Sequence, residues 1–200
     1  MAVTNNANIV AVMGGTGSGK STFVKKEIKR LKPKRLIIFD VMHEYGEFGL
    51  ITNSLPETVK ACRHKSFAII YQPNSRDLRE KFNFVCKLAF QTGDCVFIIE
   101  ELNRLTMPTR APENWQDCTS RGRHKGITIY GVSQRPASLD KDFFSNATKI
   151  RTGRVNFAAD IRTLANVLMI DKDEITQLKP LEYIERDMTT HQILRGILKI

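Results

Sequence analysis

Apolar runs and amphipathic stretches alternate along the first two thirds of this chain. Five apolar runs predict strands, at residues 8–13, 36–39, 67–71, 95–99 and 127–132. A run without alternation, such as 36–39, is typical of a strand that is covered on both faces, as in a parallel sheet. Helical spacing of apolar residues is found between these runs, at 20–31, 56–62, 77–90 and 113–120. The alternation predicts an α/β fold with a mainly parallel sheet flanked by helices.

The pattern becomes weaker after residue 136. Helices are predicted there at 143–147 and 158–169, and a last helical turn at 173–178. An extended segment is predicted at 149–157, and residues 181–186 and 191–198 are predicted to form a hairpin. Before the first strand, residues 1–7 form a polar lead-in that we expect to fray. No repeat or clear linker divides the sequence. We therefore predict a single domain over residues 1–200, with a motif-bearing core at about 8–136 and residues 137–200 completing the fold.

The most informative stretch directly follows the first strand. Residues 14–21, GGTGSGKS, fit the pattern G-x-x-x-x-G-K-[ST] between a predicted strand and a predicted helix, the context that a phosphate-binding loop requires. Glycines let the backbone turn its N–H groups toward phosphate oxygens, and the helix N-terminus adds a positive dipole end. By type, Lys20 should reach the β- and γ-phosphates, and the Ser21 hydroxyl should bind Mg²⁺. The predicted nucleotide-binding residues are Gly14, Gly15, Thr16, Gly17, Ser18, Gly19, Lys20, Ser21 and Thr22.

Two adjacent carboxylates, Glu100 and Glu101, end the predicted strand 95–99. The carboxyl ends of parallel strands meet at one edge of a sheet, where the phosphate loop also opens, so both side chains should lie near the nucleotide. In such sites the first acid holds Mg²⁺, often through water, and the second polarises an attacking water as general base. The alternative is an acidic strand end exposed to solvent.

A glutamine and a basic cluster flank the predicted strand 127–132. Gln134 follows it, and an amide there can donate to the γ-phosphate and accept from water, although a simple turn glutamine is the alternative. The basic residues before the strand are Arg121, Arg123, His124 and Lys125. A guanidinium there could face a phosphate on a neighbouring subunit, or the cluster could contact DNA, and the sequence leaves both interpretations open.

Composition restricts the class of protein and its partners. The formal net charge of +10 favours polyanions, with nucleic acid first and an anionic membrane surface second, over a surface that is basic only for solubility. The apolar runs are far shorter than the roughly 20 residues of a transmembrane helix, and no export signal begins the sequence. Because the four cysteines lack metal-binding spacing, we expect reduced thiols in an intracellular, non-secreted protein.

Five motifs occur in a characteristic order. They are GGTGSGKS at 14–21, LIIFDVMHEYG at 36–46, AIIYQP at 68–73, VFIIEE at 96–101 and RGRHKGITIYGVSQRP at 121–136. This set resembles the FtsK/HerA superfamily of ring-forming motor ATPases, and especially the compact genome-packaging ATPases of membrane-containing viruses. The first motif is generic to phosphate-loop proteins, whereas SQRP after a GRH-containing loop is much more specific.

The resemblance implies a P-loop NTPase core of the RecA-like, ASCE type, with ATP and Mg²⁺ as ligands. It also implies a role for each matching residue: phosphate and magnesium binding by Lys20 and Ser21, general base catalysis by Glu101, γ-phosphate sensing by Gln134, and an arginine finger acting in trans at Arg123. The sequence departs from the family at Glu100, where the family usually has Asp. The extra methylene of Glu100 moves its carboxylate outward. The predicted magnesium ligands are Ser21 and Glu100.

By this resemblance, the chain is an ATP-hydrolysing motor that moves double-stranded DNA into a preformed viral capsid. It would act as a homo-oligomeric ring, a hexamer, in the host cytoplasm and at the packaging vertex of the virion, with capsid or portal-vertex proteins as partners. The length of 200 residues favours the viral branch, because cellular relatives usually carry added domains.

Three alternatives remain. The first alternative is another kind of DNA-moving ATPase, a plasmid or conjugation motor. As a small-molecule phosphotransferase it would use Arg121 and Arg123 as lid arginines, but the adjacent carboxylates and Gln134 argue against this. As a binding protein it would use ATP only as an assembly switch.

Overall fold

The computed structural model describes residues 7–74 and 76–199, and its strands form one mixed sheet. In chain order they are β1 (Ile9–Met13), β2 (Arg35–Phe39), β3 (Leu50–Thr52), β4 (Phe67–Tyr71), β5 (Val96–Ile99), β6 (Thr128–Ser133), β7 (Lys149–Thr152), β8 (Glu182–Asp187) and β9 (Ile193–Ile197). The spatial order is β3-β4-β2-β5-β6-β1-β7-β8-β9. The pairs from β3 to β7 are parallel, and β8 and β9 continue the sheet as an antiparallel hairpin.

Helices cover both faces of this sheet. They are α1 (Lys20–Leu31), α2 (Leu55–Cys62), α3 (Leu78–Thr92), α4 (Glu113–Arg121), α5 (Lys141–Asn146), α6 (Ala158–Leu168) and α7 (Lys172–Thr176). In β1, Ile9 and Ala11 pack into one buried cluster with α3, α4 and α6, whereas Val10 and Val12 pack into another with α1. Alternate side chains of a strand point to opposite faces, so a strand with two covered faces needs an uninterrupted apolar sequence.

The predicted α/β fold with a mainly parallel sheet flanked by helices is confirmed. The predicted terminal hairpin also forms, as β8 and β9. Most predicted segments have ends that differ by one or two residues from those in the structure. The prediction of one domain over residues 1–200 stays a prediction, and the lead-in 1–7 lies outside the described residues except for Ala7.

Two sequence expectations were incomplete. Strand β3 was not predicted, because it is a three-residue edge strand whose Leu50 and Ile51 are exposed. The extended segment expected at 149–157 ends at Thr152, where the chain leaves the sheet and Gly153 N–H donates to the Met13 carbonyl beside the phosphate loop. Within residues 7–74 and 76–199, no helix combines the length and hydrophobicity that crossing a membrane requires.

Candidate nucleotide site

The phosphate loop between β1 and α1 has the backbone conformation that its glycines allow. Gly14, Gly17 and Gly19 have φ angles of +146°, +75° and +85°, a region that other residues rarely adopt. A Cβ atom at Gly14 would lie 2.4 Å from Ser18 Oγ, whereas one at Gly17 would meet no atom within 4 Å. Gly14 is therefore needed for close packing as well as conformation, and Gly17 lies at the open mouth of the loop.

Lys20 spans this loop from the first position of α1. Its Nζ donates a hydrogen bond of 3.0 Å to the Gly15 carbonyl. Burial lowers the pKa of the Lys20 amine, and the nearby carboxylates Glu100, Glu101 and Glu44 oppose this shift. The amine therefore lies between the loop and the acidic strand ends, where it can contact phosphate oxygens.

The two predicted carboxylates follow β5 and are both buried, with 3% of Glu100 and 8% of Glu101 exposed. Glu100 accepts hydrogen bonds from the Tyr45 hydroxyl at Oε1 and from Glu101 N–H at Oε2, the latter over 3.3 Å. Burial raises the pKa of Glu100 to about 7, and the Tyr45 hydrogen bond partly opposes that shift. Glu101 has a φ of +49°, and such strained backbone in a non-glycine residue is concentrated at functional sites.

Gln134 connects the carboxylates to the phosphate loop. Its Nε2 donates to Glu101 Oε1 over 2.6 Å, and its Oε1 accepts from Thr16 Oγ1 over 3.0 Å. Gln134 follows β6, Glu101 follows β5, and Thr16 belongs to the loop after β1, so the contact joins the carboxyl ends of three neighbouring strands. The Gln134 amide therefore lies between Glu101 and the phosphate loop.

These residues enclose a cavity of about 620 Å³. Its lining residues are Thr16, Gly17, Gly19, Lys20, Ser21, Thr22, Lys25, Met42, Glu44, Glu100, Glu101, Gln134 and Leu181. The lining includes the hydroxyl of Ser21 and the carboxylate of Glu100, and oxygen atoms of these two kinds are ligands of Mg²⁺. The loop conformation, the Lys20 amine and these oxygens together fit a magnesium–nucleotide complex.

Three predicted loop residues shape the loop instead of lining the cavity. The Gly14 amide donates to the Ser133 carbonyl over 3.2 Å, and the Gly15 amide donates to the Arg154 carbonyl over 2.7 Å. Both amides are therefore occupied within the protein. The Ser18 Oγ atom is buried, next to Gly14.

Arg123 lies far from this cavity in its own chain. It is an exposed residue of a short 3-10 turn, Gly122–Lys125, that precedes β6, whereas Gln134 follows β6. The six residues of β6 separate the two ends of the strand by about 20 Å. The structure thus brings Lys20, Glu101 and Gln134 together and leaves Arg123 at the opposite edge of the sheet.

The turn after β2, for which no role was predicted, also enters the site. Asp40 is fully buried and accepts hydrogen bonds of 3.1 Å from Glu44 N–H, Tyr45 N–H and Gln72 Nε2. This turn carries Glu44 into the cavity lining and Tyr45 to Glu100. The available signal was Asp40 itself, an acid that ends an apolar strand as Glu100 does.

The family model of the HerA helicase central domain matches residues 8–194 of this chain. The chain belongs to this family. The predicted relationship to FtsK/HerA ATPases is therefore confirmed, and this HerA-family protein shares the P-loop NTPase fold.

Viral proteins are among the similar sequences and structures. Over 173 residues the HerA-family chain is 28% identical to Protein P9 of Pseudoalteromonas phage PM2, covering 84% of this chain and 78% of P9. The genome-packaging NTPase B204 from Sulfolobus turreted icosahedral virus 2, solved with ATP-gammaS, superposes with a TM-score of 0.81 at 19% identity, covering 96% of this chain and 98% of B204. The pCW3 conjugation coupling protein TcpA reaches a TM-score of 0.61 at 14% identity, covering 96% of this chain and 60% of TcpA.

Proposed function

We propose that this protein hydrolyses ATP to translocate double-stranded DNA and that it packages a viral genome into a preformed capsid. The observation that carries this proposal is the contact of Glu101 with Gln134 and of Gln134 with Thr16, beside Lys20. This contact combines a base for water, a γ-phosphate sensor and the phosphate loop in one cavity, as a hydrolytic motor requires.

The cavity residues divide the work of hydrolysis. Lys20 and the loop bind the phosphates of ATP, while Ser21 and Glu100 hold Mg²⁺. A Mg²⁺ ion held by Ser21 and Glu100 would supply positive charge that neutralises the phosphates. Glu101 orients the attacking water and accepts its proton, and Gln134 releases or holds Glu101 according to whether a γ-phosphate is present.

We assign Arg123 to the active site of the neighbouring subunit in a homo-oligomeric ring, taken as a hexamer. Because Arg123 and Gln134 lie at opposite ends of β6, an arginine finger at residue 123 has to serve another copy of the chain. An interpretation of Arg123 as a lid arginine of its own site, as the phosphotransferase alternative requires, is disfavoured by the same separation.

Double-stranded DNA is the proposed cargo. The net charge of +10 suits sequence-independent contact with phosphates, and B204 is described as a genome-packaging NTPase. The greater structural similarity to B204, with a TM-score of 0.81 against 0.61 for TcpA, supports the packaging role over the conjugation role. The proposed sites of action are the host cytoplasm and the packaging vertex of the virion, with capsid or portal-vertex proteins as partners.

The test is the rate of ATP hydrolysis with and without duplex DNA, measured beside the mass of the particle. The proposal expects duplex to stimulate hydrolysis by a particle that contains several copies of the chain. A rate that rises with a small phosphate acceptor but not with duplex would indicate a phosphotransferase. ATP binding and assembly without turnover would indicate an assembly switch.

A further inference from the structure

Tyr45 contacts the two residues that we assign to magnesium. It is fully buried, and its hydroxyl donates to Oε1 of Glu100. Burial above all, followed by the charge of Glu100, raises the pKa of Tyr45, while a hydrogen bond from Ser21 opposes the shift. One hydroxyl group therefore connects the first turn of α1 to the end of β5.

Asp40 holds the backbone of Tyr45, and neighbouring side chains hold its ring. Its two carboxylate oxygens accept the N–H groups of Glu44 and Tyr45, each over 3.1 Å. The Tyr45 ring packs against Phe48, with 6.4 Å between ring centroids, and Lys25 lies 5.7 Å from its centroid. The backbone and the ring of Tyr45 are thus held independently of its hydroxyl.

Glu100 is the residue that needs such support. A glutamate has one more side-chain torsion than an aspartate, so its carboxylate has more positions to choose from and loses more entropy when it is fixed. The other hydrogen bond to the carboxylate of Glu100, from Glu101 N–H, is 3.3 Å long. The Tyr45 hydroxyl supplies a second point of attachment at the opposite carboxylate oxygen.

We propose that Tyr45 is a positioning residue of the magnesium site. Its hydroxyl holds the Glu100 carboxylate beside Ser21, so that the oxygen ligands of both residues are in place when Mg²⁺ binds with ATP. This inference rests on the proposed function, because it takes Ser21 and Glu100 as the metal-binding pair. It gives Tyr45 no contact with the reacting atoms.

The test compares Tyr45→Phe with the parent in the binding of a fluorescent, non-hydrolysable ATP analogue, with Mg²⁺ and with EDTA. Removing the hydroxyl should reduce the affinity gained from Mg²⁺ by about tenfold, the size expected for one hydrogen bond to a charged group. The affinity measured in EDTA should stay within about twofold of the parental value, because the phosphate loop is unchanged.

Tyr130→Phe is the matched control. The Tyr130 hydroxyl likewise donates to a glutamate, Glu27 Oε2, over 2.9 Å, but neither residue lines the cavity. This variant should keep the full affinity gain from Mg²⁺. If Tyr45→Phe behaves like Tyr130→Phe, or if it loses affinity equally in Mg²⁺ and in EDTA, Tyr45 has only a structural role and the proposal is wrong.

A double-mutant cycle with Glu100→Asp tests the contact itself. Aspartate is one methylene shorter than glutamate, so its carboxylate should not reach the Tyr45 hydroxyl. Tyr45→Phe should therefore cause little further loss of Mg²⁺-dependent affinity in the Glu100→Asp background. Full additivity of the two changes would overturn the proposal. A parent that gains affinity from Mg²⁺ but never hydrolyses ATP would refute the proposed motor while leaving the Tyr45 inference intact, and a parent that gains none would refute the inference.

Discussion

At the scale of single residues, the site separates two adjacent carboxylates by their surroundings. Glu100 is bonded to Tyr45 and has a pKa raised by burial to about 7. Glu101 is bonded to Gln134, which in turn contacts Thr16 of the phosphate loop. This difference in surroundings supports the proposed division of roles, with Glu100 facing the metal and Glu101 facing the attacking water.

Glu101→Gln should bind ATP like the parent but lose hydrolysis by about a hundredfold or more, because an amide cannot accept the proton of the attacking water. Lys20→Ala should weaken both binding and hydrolysis, because the phosphates lose a contact made in the ground state and the transition state. Equilibrium binding and steady-state phosphate release measure the two defects. Parental turnover in Glu101→Gln would move the role of general base to Glu100.

Glu100→Gln should stabilise the metal-free protein at alkaline pH. The pKa of Glu100 is raised from 4.5 to about 7 in the folded state, so the native protein binds this proton more tightly than the unfolded chain does. Its contribution to the free energy of unfolding therefore falls as pH rises from about 4.5 to 7 and stays low above that.

The glutamine variant, which carries no charge there, should exceed the parent by up to about 3 kcal/mol at pH 8 and by little at pH 5. Urea unfolding in EDTA at both pH values measures the difference. Equal stabilities at pH 8 would mean that the buried carboxylate carries no such penalty.

At the scale of elements, the site is formed by residues that follow the carboxyl ends of neighbouring strands. The sequence was sufficient to predict β1, β5 and β6, because each is a buried apolar run followed directly by a chemically informative residue. The contribution of the turn after β2 could not be predicted in the same way. Tyr45 reaches Glu100 across 55 positions of sequence through a turn that Asp40 holds, and no local pattern contains that contact.

The carboxyl-terminal hairpin also supports the phosphate loop, which its weak pattern did not indicate. A Cβ atom at Gly19 would lie 2.6 Å from Leu198 Cδ2 and 3.1 Å from Leu181 Cδ2, so both side chains pack on the loop. Leu181 also lines the nucleotide cavity. The segment after residue 136 therefore completes the site as well as the sheet.

Leu198→Ala should weaken binding of the ATP analogue several-fold and lower the free energy of unfolding by about 1–2 kcal/mol, since it removes a half-buried side chain from the back of the loop. Ile197→Ala is the matched control, because Ile197, the neighbouring residue that ends β9, is 65% exposed. Titration and urea unfolding of both variants measure the effects. Equal affinities for the two variants would show that the hairpin does not support the loop.

At the scale of the whole molecule, the separation of Arg123 from its own cavity predicts shared active sites. Arg123→Ala should bind ATP normally yet hydrolyse it about a thousandfold more slowly, because a trans-acting guanidinium stabilises charge on the transferring phosphoryl group. Lys20→Ala should also hydrolyse ATP poorly, because its own phosphate loop lacks the amine. Rings mixed from these two variants contain some sites that pair an intact loop with an intact neighbouring arginine.

Those mixed rings should recover part of the parental ATPase activity, measured as phosphate release against the mixing ratio. The control mixes Lys20→Ala with Glu101→Gln, whose defects both lie in the same cavity and cannot complement each other. If mixed rings form and Arg123→Ala restores nothing, the arginine does not act between subunits, and contact with DNA becomes its remaining role.

The most direct test of the motor itself is ATP-driven displacement of a third strand from a triplex at the end of a long duplex, which reports movement along DNA independently of hydrolysis. The parental protein should displace the strand only with ATP and Mg²⁺, and Lys20→Ala and Glu101→Gln should not. Duplex-stimulated ATP hydrolysis by the parent without any strand displacement would contradict translocation.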